Sequence, residues 1–222
     1  MPVLAARWHA EGLAGPSERL LLTPDGMVAG SAEHLRFITL TRGISGLYPE
    51  VELWQRSARL WADEATRWLF DTERVAYADW RAVEAALKRQ ALAQRRQDVR
   101  GWYDTARGLQ GRFKGEVSSL IEAGGGTVSG LLSYLTHNRT TFPLLAGEET
   151  ARLWLDQLRR LGGVEIEEDE ALEITLGKKA RQALKTLAID VPEWLPVQEA
   201  LAVEVWAGLD TETHQEVLQA IK

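Results

Sequence analysis

The chain has 222 residues, of which 45% are hydrophobic, and its formal net charge is −6 at pH 7. That length and apolar content suffice for one sizeable core or two small lobes. Cysteine is absent, which excludes disulfides, thiolate nucleophiles, zinc fingers and iron–sulfur clusters. The acidic balance argues against a protein that coats nucleic acid with its whole surface.

Other function classes are disfavoured by simple patterns. No run of eighteen apolar residues occurs, and residues 1–7 lack a basic start followed by a long apolar segment. We therefore expect a soluble, cytoplasmic protein with no membrane partner. The four histidines are scattered without an i,i+4 pair, so we expect neither a metal site nor a cofactor. The oligomeric state is left open.

Residues 1–30 are rich in turn-forming residues and are expected to form an irregular N-terminal cap. Pro24-Asp25-Gly26 is a good turn signal. It could join two short strands, Arg19–Thr23 and Met27–Ala29, into a β-hairpin. An irregular cap without strands is the alternative.

Helices are predicted from residue 31 onward. The segment 31–41 is ambiguous, but its helical neighbours favour a helix. Pro49 is expected to open a long helix on which Trp54, Trp61 and Trp68 lie along one face. Such a stripe is far more often a buried seam than a surface for stacking bases.

The next helices are placed by residues that favour helix N-termini. Asp79, Asp98 and Thr127 are predicted to cap helices, and a short helix is expected at about Glu116–Ala123. The basic link before Asp98 contains Arg95 and Arg96. It suits phosphate contact or, as the commoner alternative, forms a solvated charged loop.

A tight hairpin is predicted over residues 142–161. Pro143 and Gly147 favour a sharp turn, with a φ above zero allowed at Gly147, and a helix is expected to begin at about Glu148. Gly162 and Gly163 supply its C-terminal stop. A helix start reached through such a turn is a ready site for a phosphate, because its first backbone N–H groups lack partners.

This stretch resembles the hairpin of the helix-hairpin-helix DNA glycosylases, with more distant similarity over residues 35–190. The family pattern is Leu-Pro-Gly-apolar-Gly-x-Lys-x-Ala, which Gly147 and Ala151 match and which Pro143 approaches. The segment from Ile174 to Arg181 occupies the place of the family's second element. The resemblance implies an all-α, two-lobed helical bundle with a helix-hairpin-helix element and a partner in double-stranded DNA.

The departures from the family bear on its chemistry. Glu149 stands where bifunctional members carry the Schiff-base lysine, and the family aspartate falls at or beside Leu176. The resemblance therefore implies no lyase activity. The candidate carboxylates beside the reacting sugar are Glu149, at the position of the family lysine, and Asp169 or Glu173, either of which could replace the missing aspartate. His137 is a candidate polar group. An acidic solvated loop and an ordinary helix C-terminus are the simpler interpretations.

Phosphate contacts are expected on both sides of the hairpin in the sequence. Arg139 precedes the hairpin, and a following helix over residues 177–188 has a basic first turn, which its own dipole disfavours and a bound anion would offset. The expected nucleic-acid-binding residues are Arg139, Gly147, Lys178, Lys179, Arg181, Arg95 and Arg96.

We expect a glycosylase-like body over residues 31–222 that ends in a helical pair at 193–221. Three functions remain open at this point. The chain could be a monofunctional DNA N-glycosylase acting in DNA repair, a non-catalytic DNA- or protein-binding module of that fold, or a nucleoside or nucleotide N-glycoside hydrolase.

Overall fold

The computed structural model describes residues 23–44, 50–186 and 191–208. These residues are all-α, as predicted, apart from one two-stranded sheet. They form two compact units, residues 23–172 and residues 173–208. In the described part of the chain, no helix is both long and apolar enough to cross a bilayer.

The first unit is built from α-helices and one 3₁₀-helix. In chain order these are α1 (Ala32–Arg42), α2 (Glu50–Ala62), the 3₁₀-helix (Arg67–Phe70), α3 (Thr72–Tyr77), α4 (Trp80–Arg89), α5 (Arg96–Phe113), α6 (Val117–Ala123), α7 (Val128–His137) and α8 (Glu148–Arg160). Several of these helices have a side-chain N-cap. The hydroxyl of Ser31 accepts from the His34 backbone N–H, and Asp79 and Thr127 cap α4 and α7 as predicted.

Aromatic rings fill the centre of this unit. Phe70 contacts Phe37, Trp61 and Trp102, with ring centroids 5.1 Å, 5.7 Å and 5.1 Å away. The indole N–H of Trp102 donates to the carbonyl of Leu69 at 3.1 Å, so its single polar atom is satisfied inside the core. This cluster ties α1, α2, the 3₁₀-helix and α5 together.

The predicted tryptophan stripe is only partly correct. Trp54 and Trp61 are buried on α2, but the helix ends at Ala62 and Trp68 belongs to the 3₁₀-helix. The helix stops because side chains compete for its backbone. Asp63 accepts from the Ala65 N–H at 3.0 Å, and the Thr66 hydroxyl donates to the Leu60 carbonyl at 2.8 Å.

Asp98 is not the N-cap that the sequence suggested. Helix α5 begins at Arg96, three residues before that expectation allows, and Arg95 occupies the N-cap position. Asp98 lies in the first turn, where its fully buried carboxylate accepts from the backbone N–H groups of Gln94 and Arg95. Its carboxylate therefore supplies acceptors to backbone N–H groups at the start of the helix, as the acidic member of a capping box does.

The predicted N-terminal β-hairpin is not formed at its second strand. Pro24, Asp25 and Gly26 do make the turn, since the Met27 N–H donates to the Pro24 carbonyl at 3.0 Å. Residues 27 and 28 then have no regular structure and residues 29 and 30 form a turn, so the expected strand Met27–Ala29 is absent. The proposed first strand lies outside the described residues except for Thr23.

The second unit contains β1 (Glu173–Thr175), α9 (Lys178–Thr186), β2 (Trp194–Pro196) and α10 (Val197–Gly208). The two strands pair antiparallel, with Ile174 opposite Leu195, and both of these side chains are buried. Helix α9 matches the predicted helix except at its end, because residues 187–190 lie outside the described part. Of the predicted closing helical pair, α10 is present from Val197, and its second member lies beyond the described residues.

Candidate nucleic-acid interface

Helix α9 carries an exposed basic face. Lys178, Arg181 and Lys185 follow one another at spacings of three and four residues, which places them on one side of a helix. The opposite side buries Ala180 and Leu184. The apolar pattern therefore fixes the rotation of the helix and turns its cations outward.

These cations border an open groove of about 410 Å³, which is lined by Leu176, Lys178, Arg181, Gln182 and Lys185. The lining contains three cations and no carboxylate. From Lys178 to Lys185 the helix rises about 10 Å. The groove is therefore a concentrated positive surface within an acidic protein.

Arg181 is held in place by the backbone. Its Nε donates to the carbonyl of Leu176 at 2.6 Å, which anchors the guanidinium beside the start of α9. Its terminal nitrogens have no acceptor among the described residues, nor do the ammonium groups of Lys178 and Lys185 make an ion pair there. Lys179 belongs to the same helical turn, but its side chain is not among those described. Lys178, Arg181 and Lys185 can therefore bind an external anion without breaking an ion pair to another described residue.

A turn precedes α8, and α8 begins at Glu148 as predicted, whereas the helix-hairpin-helix element as a whole stays a prediction. Phe142 and Leu145 are buried, and the N–H groups of Ala146 and Gly147 donate back to the carbonyls of Phe142 and Leu144. Gly147 is exposed and is the N-cap of α8, but its φ of −67° is one that any residue adopts. The φ above zero that Gly147 would allow is thus not adopted there, whereas Gly163, after the helix, has a φ of +62°.

The surroundings of this helix start are acidic. Glu148 and Glu149 occupy the first turn of α8 and are exposed. Arg152 binds Glu148 at 3.2 Å, and it also binds Glu170 and the carbonyl of Ala171. Arg152 is therefore shared by two carboxylates and has little attraction left for a phosphate. The start of α8 is thus a weaker phosphate site than the hairpin motif alone suggests.

The other expected phosphate ligands lie at separate positions on the first unit. Arg139 is exposed in the turn after α7 and has no ion pair among the described residues. Arg95 is half-exposed and pairs with Asp98 at 3.2 Å, whereas Arg96 is exposed at the first position of α5. Arg139 and Arg96 are thus available to an anion, and Arg95 is partly neutralised.

Two of the expected catalytic residues lie at opposite ends of α7. Asp169 accepts from the backbone N–H of Ser129 at 2.9 Å and from its hydroxyl, so it caps the start of the helix. These hydrogen bonds hold the pKa of Asp169 below its ordinary value. His137 is the last residue of α7, about 12 Å along the axis from Ser129, and its Nδ1 lies 2.7 Å from the Ser133 carbonyl.

The third expected catalytic residue, Glu149, lies in the first turn of α8. Its neighbour Glu148 and Asp169's neighbour Glu170 meet on the guanidinium of Arg152. The structure thus brings the acidic segment that contains Asp169 and Glu170 close to the start of α8. It does not bring His137 close to Asp169. In the described residues, no group of three or more acidic or histidine side chains is arranged to hold a metal ion.

Sequence reasoning missed two features of these surfaces. Lys185 completes the basic face. It belongs to the same basic tract of the sequence as Lys178 but was left out of the expected binding residues, although its helical spacing from Lys178 was a sufficient signal to include it. Arg36, Arg67 and Arg74 come together around a groove in the first unit. They belong to three different elements, so no local pattern in the sequence indicates their meeting.

Comparison with known proteins adds no family to this description. No family model, no curated protein and no solved structure matches the chain.

Proposed function

We propose that the chain is a non-catalytic module that binds double-stranded DNA through the phosphate backbone, with α9 as its main contact. The observation that carries the proposal is the groove along α9, which three cations line without a carboxylate. Contacts of this kind hold the backbone and carry little sequence information. Binding is therefore expected to be independent of sequence.

The choice of polyanion follows from the shape of this surface. Lys178, Arg181 and Lys185 lie in one row along about 10 Å of helix. A row of cations fits a line of regularly spaced phosphates better than it fits one compact anion. The resemblance of residues 142–181 to a DNA-gripping hairpin and its second element points to the same partner.

The placement of the candidate catalytic groups supports a binding role over glycosylase chemistry. A glycosylase needs its carboxylate and its polar groups around one anomeric carbon. Asp169 is instead engaged with Ser129 at one end of α7, and His137 closes the other end. The acidic start of α8 also offers a phosphate less attraction than α9 does.

The proposal is tested by the affinity of the full chain for a duplex. In the triple variant Lys178→Ala, Arg181→Ala, Lys185→Ala, duplex affinity measured by fluorescence anisotropy at low salt should fall at least about tenfold, because three phosphate contacts are lost. The matched control is Lys88→Ala, Arg89→Ala, Arg100→Ala. It removes the same charge from exposed cations that pair with Glu84, Asp63 and Asp104.

The control variant should keep its affinity within about threefold, since its cations are already neutralised by carboxylates. Equal losses in the two triple variants would show that only net charge matters and would contradict the assignment to α9. The same protein is also incubated with modified duplexes and with free nucleosides. Release of a free base would replace the binding proposal with one of the two hydrolase alternatives.

A further inference from the structure

A second, smaller recess lies in the first unit, far along the chain from α9. It has a volume of about 360 Å³ and is lined by Arg36, Arg67, Arg74, Trp61, Trp68 and three carboxylates. We call it the arginine groove. Its volume falls within the range of about 300–1,000 Å³ that small-molecule sites occupy. Its lining combines three guanidinium groups, two indoles and three carboxylates.

Two of the arginines are stacked on tryptophan rings. The guanidinium carbon of Arg67 lies 5.4 Å from the ring centroid of Trp61, and that of Arg74 lies 5.9 Å from that of Trp68. Arg67 is further fixed because its Nε donates to the Trp61 carbonyl at 2.8 Å. Stacking orients a guanidinium while leaving its in-plane N–H groups free to bind an oxyanion.

These donors lack acceptors within the described residues. Arg74 makes no hydrogen bond or ion pair through its side chain, and the terminal nitrogens of Arg67 make none either. The Nε of Arg36 is buried without a partner, and its Nη1 lies a loose 3.7 Å from Glu116. A buried donor without an acceptor costs about 1–3 kcal/mol. An anion in the groove would supply acceptors to Arg74 and to the terminal nitrogens of Arg67, with Arg36 beside them in the lining.

The carboxylates restrict the kind of anion. Glu33, Glu64 and Asp71 balance the three arginines in formal charge, so the groove lacks the excess positive charge that a polyanion requires. Asp71 already caps α3 by accepting from the Glu73 and Arg74 backbone N–H groups. The two exposed glutamates remain as acceptors for hydroxyl or amino groups of a ligand.

We propose that the arginine groove binds a small phosphate monoester that carries a planar aromatic ring and hydrogen-bond donors, the chemistry of a nucleoside monophosphate. The phosphate accepts from Arg36, Arg67 and Arg74, whose fork geometry matches it. The ring packs against the half-buried indole of Trp68, whose N–H donates to Ala65. This site is separate from α9 and goes beyond the proposed DNA binding.

The experiment is isothermal titration of the full chain with adenosine 5′-monophosphate, adenosine and inorganic phosphate in parallel. The monophosphate should bind at least about tenfold more tightly than either of the other two, because it alone supplies both the ring and the oxyanion. Adenosine binding as tightly as the monophosphate would overturn the proposal, and so would the absence of monophosphate binding at millimolar concentration.

Two variants locate the binding. Arg74→Gln should weaken monophosphate binding about tenfold, and it should fold normally because the side chain is exposed and makes no hydrogen bond to the residues that the structure describes. Arg100→Gln, an exposed arginine paired with Asp104 outside the groove, should bind like the parent. Equal binding by the two variants would overturn the location.

The α9 triple variant separates this site from the proposed function. It should bind the monophosphate with unchanged affinity while losing duplex affinity. If Arg74→Gln lowered duplex affinity as strongly as monophosphate affinity, the groove would be part of a nucleic-acid surface, and the small-molecule proposal would be wrong.

Discussion

Buried polar residues link separate helices of the first unit. Arg42 is fully buried, and its Nε donates to the Gln157 side chain at 2.7 Å. Its guanidinium lies 5.3 Å from the ring centroid of Trp54. Burial lowers the pKa of Arg42 to about 9, so it remains charged at neutral pH and must keep these partners. Its hydrogen bond joins α1 to α8.

His34 makes stability depend on pH. Its buried Nδ1 accepts from the Gly30 N–H at 3.0 Å, which requires the neutral ring, and burial lowers its pKa from 6.5. A lowered histidine pKa gives stability that is present above pH 6.5 and is lost as the pH falls through the folded pKa. The melting temperature should therefore drop between pH 7.5 and pH 5.

The variant His34→Gln should be less stable at pH 7.5 by about 1 kcal/mol and should show a smaller drop toward pH 5. The matched control is His137→Gln, at an exposed position with no role in the core. It should keep the parent's drop. If His34→Gln and the parent lost the same number of degrees, this histidine would not be the cause.

Among the elements, α5 is approached closely by two loops of the first unit. Gly101 and Gly108 lie two turns apart on its buried side. A methyl group at Gly101 would clash with the Gly43 carbonyl and the Leu144 side chain, and one at Gly108 would clash with Thr141. These glycines thus let two loops approach the helix backbone closely.

We expect Gly101→Ala to lower the free energy of unfolding by about 2 kcal/mol, because the overlap with backbone outweighs the gain in helix propensity. Gly111→Ala is the control on the same helix, since a methyl group there has no atom within 4 Å. It should stabilise the protein by about 0.5–1 kcal/mol. Chemical denaturation measures both. Stabilisation by both substitutions would show that α5 is not closely approached at Gly101.

Local elements were largely predictable from the sequence, and long-range contacts were not. Ser31, Asp79 and Thr127 give cap signals within four residues, and Pro143 and Gly147 mark the turn that precedes α8. The partners of Arg42 and the meeting of Arg36 with Arg67 depend on contacts between separate elements. The paired strands at Ile174 and Leu195 escaped prediction because each has only three residues, which is too short for an alternating pattern to be recognised.

At the scale of the whole molecule, function is proposed from charge distribution. The net charge is −6, yet Lys178, Arg181 and Lys185 line the groove along α9 without a carboxylate in that lining, whereas the start of α8 is acidic. The two predicted phosphate sites, on α9 and at the start of α8, therefore differ in the affinity for phosphate that we expect of them. A cation already paired within the protein gains little from a phosphate, and an unpaired one gains more.

The most direct measurement of this claim is the slope of log duplex affinity against log salt concentration, for the parent and for the α9 triple variant. Each neutralised phosphate contributes about −0.9 to the slope. We predict that the parent's slope is steeper than the variant's by about 2.7, as three lost contacts require. Identical slopes, or no measurable duplex binding by the parent at low salt, would contradict it.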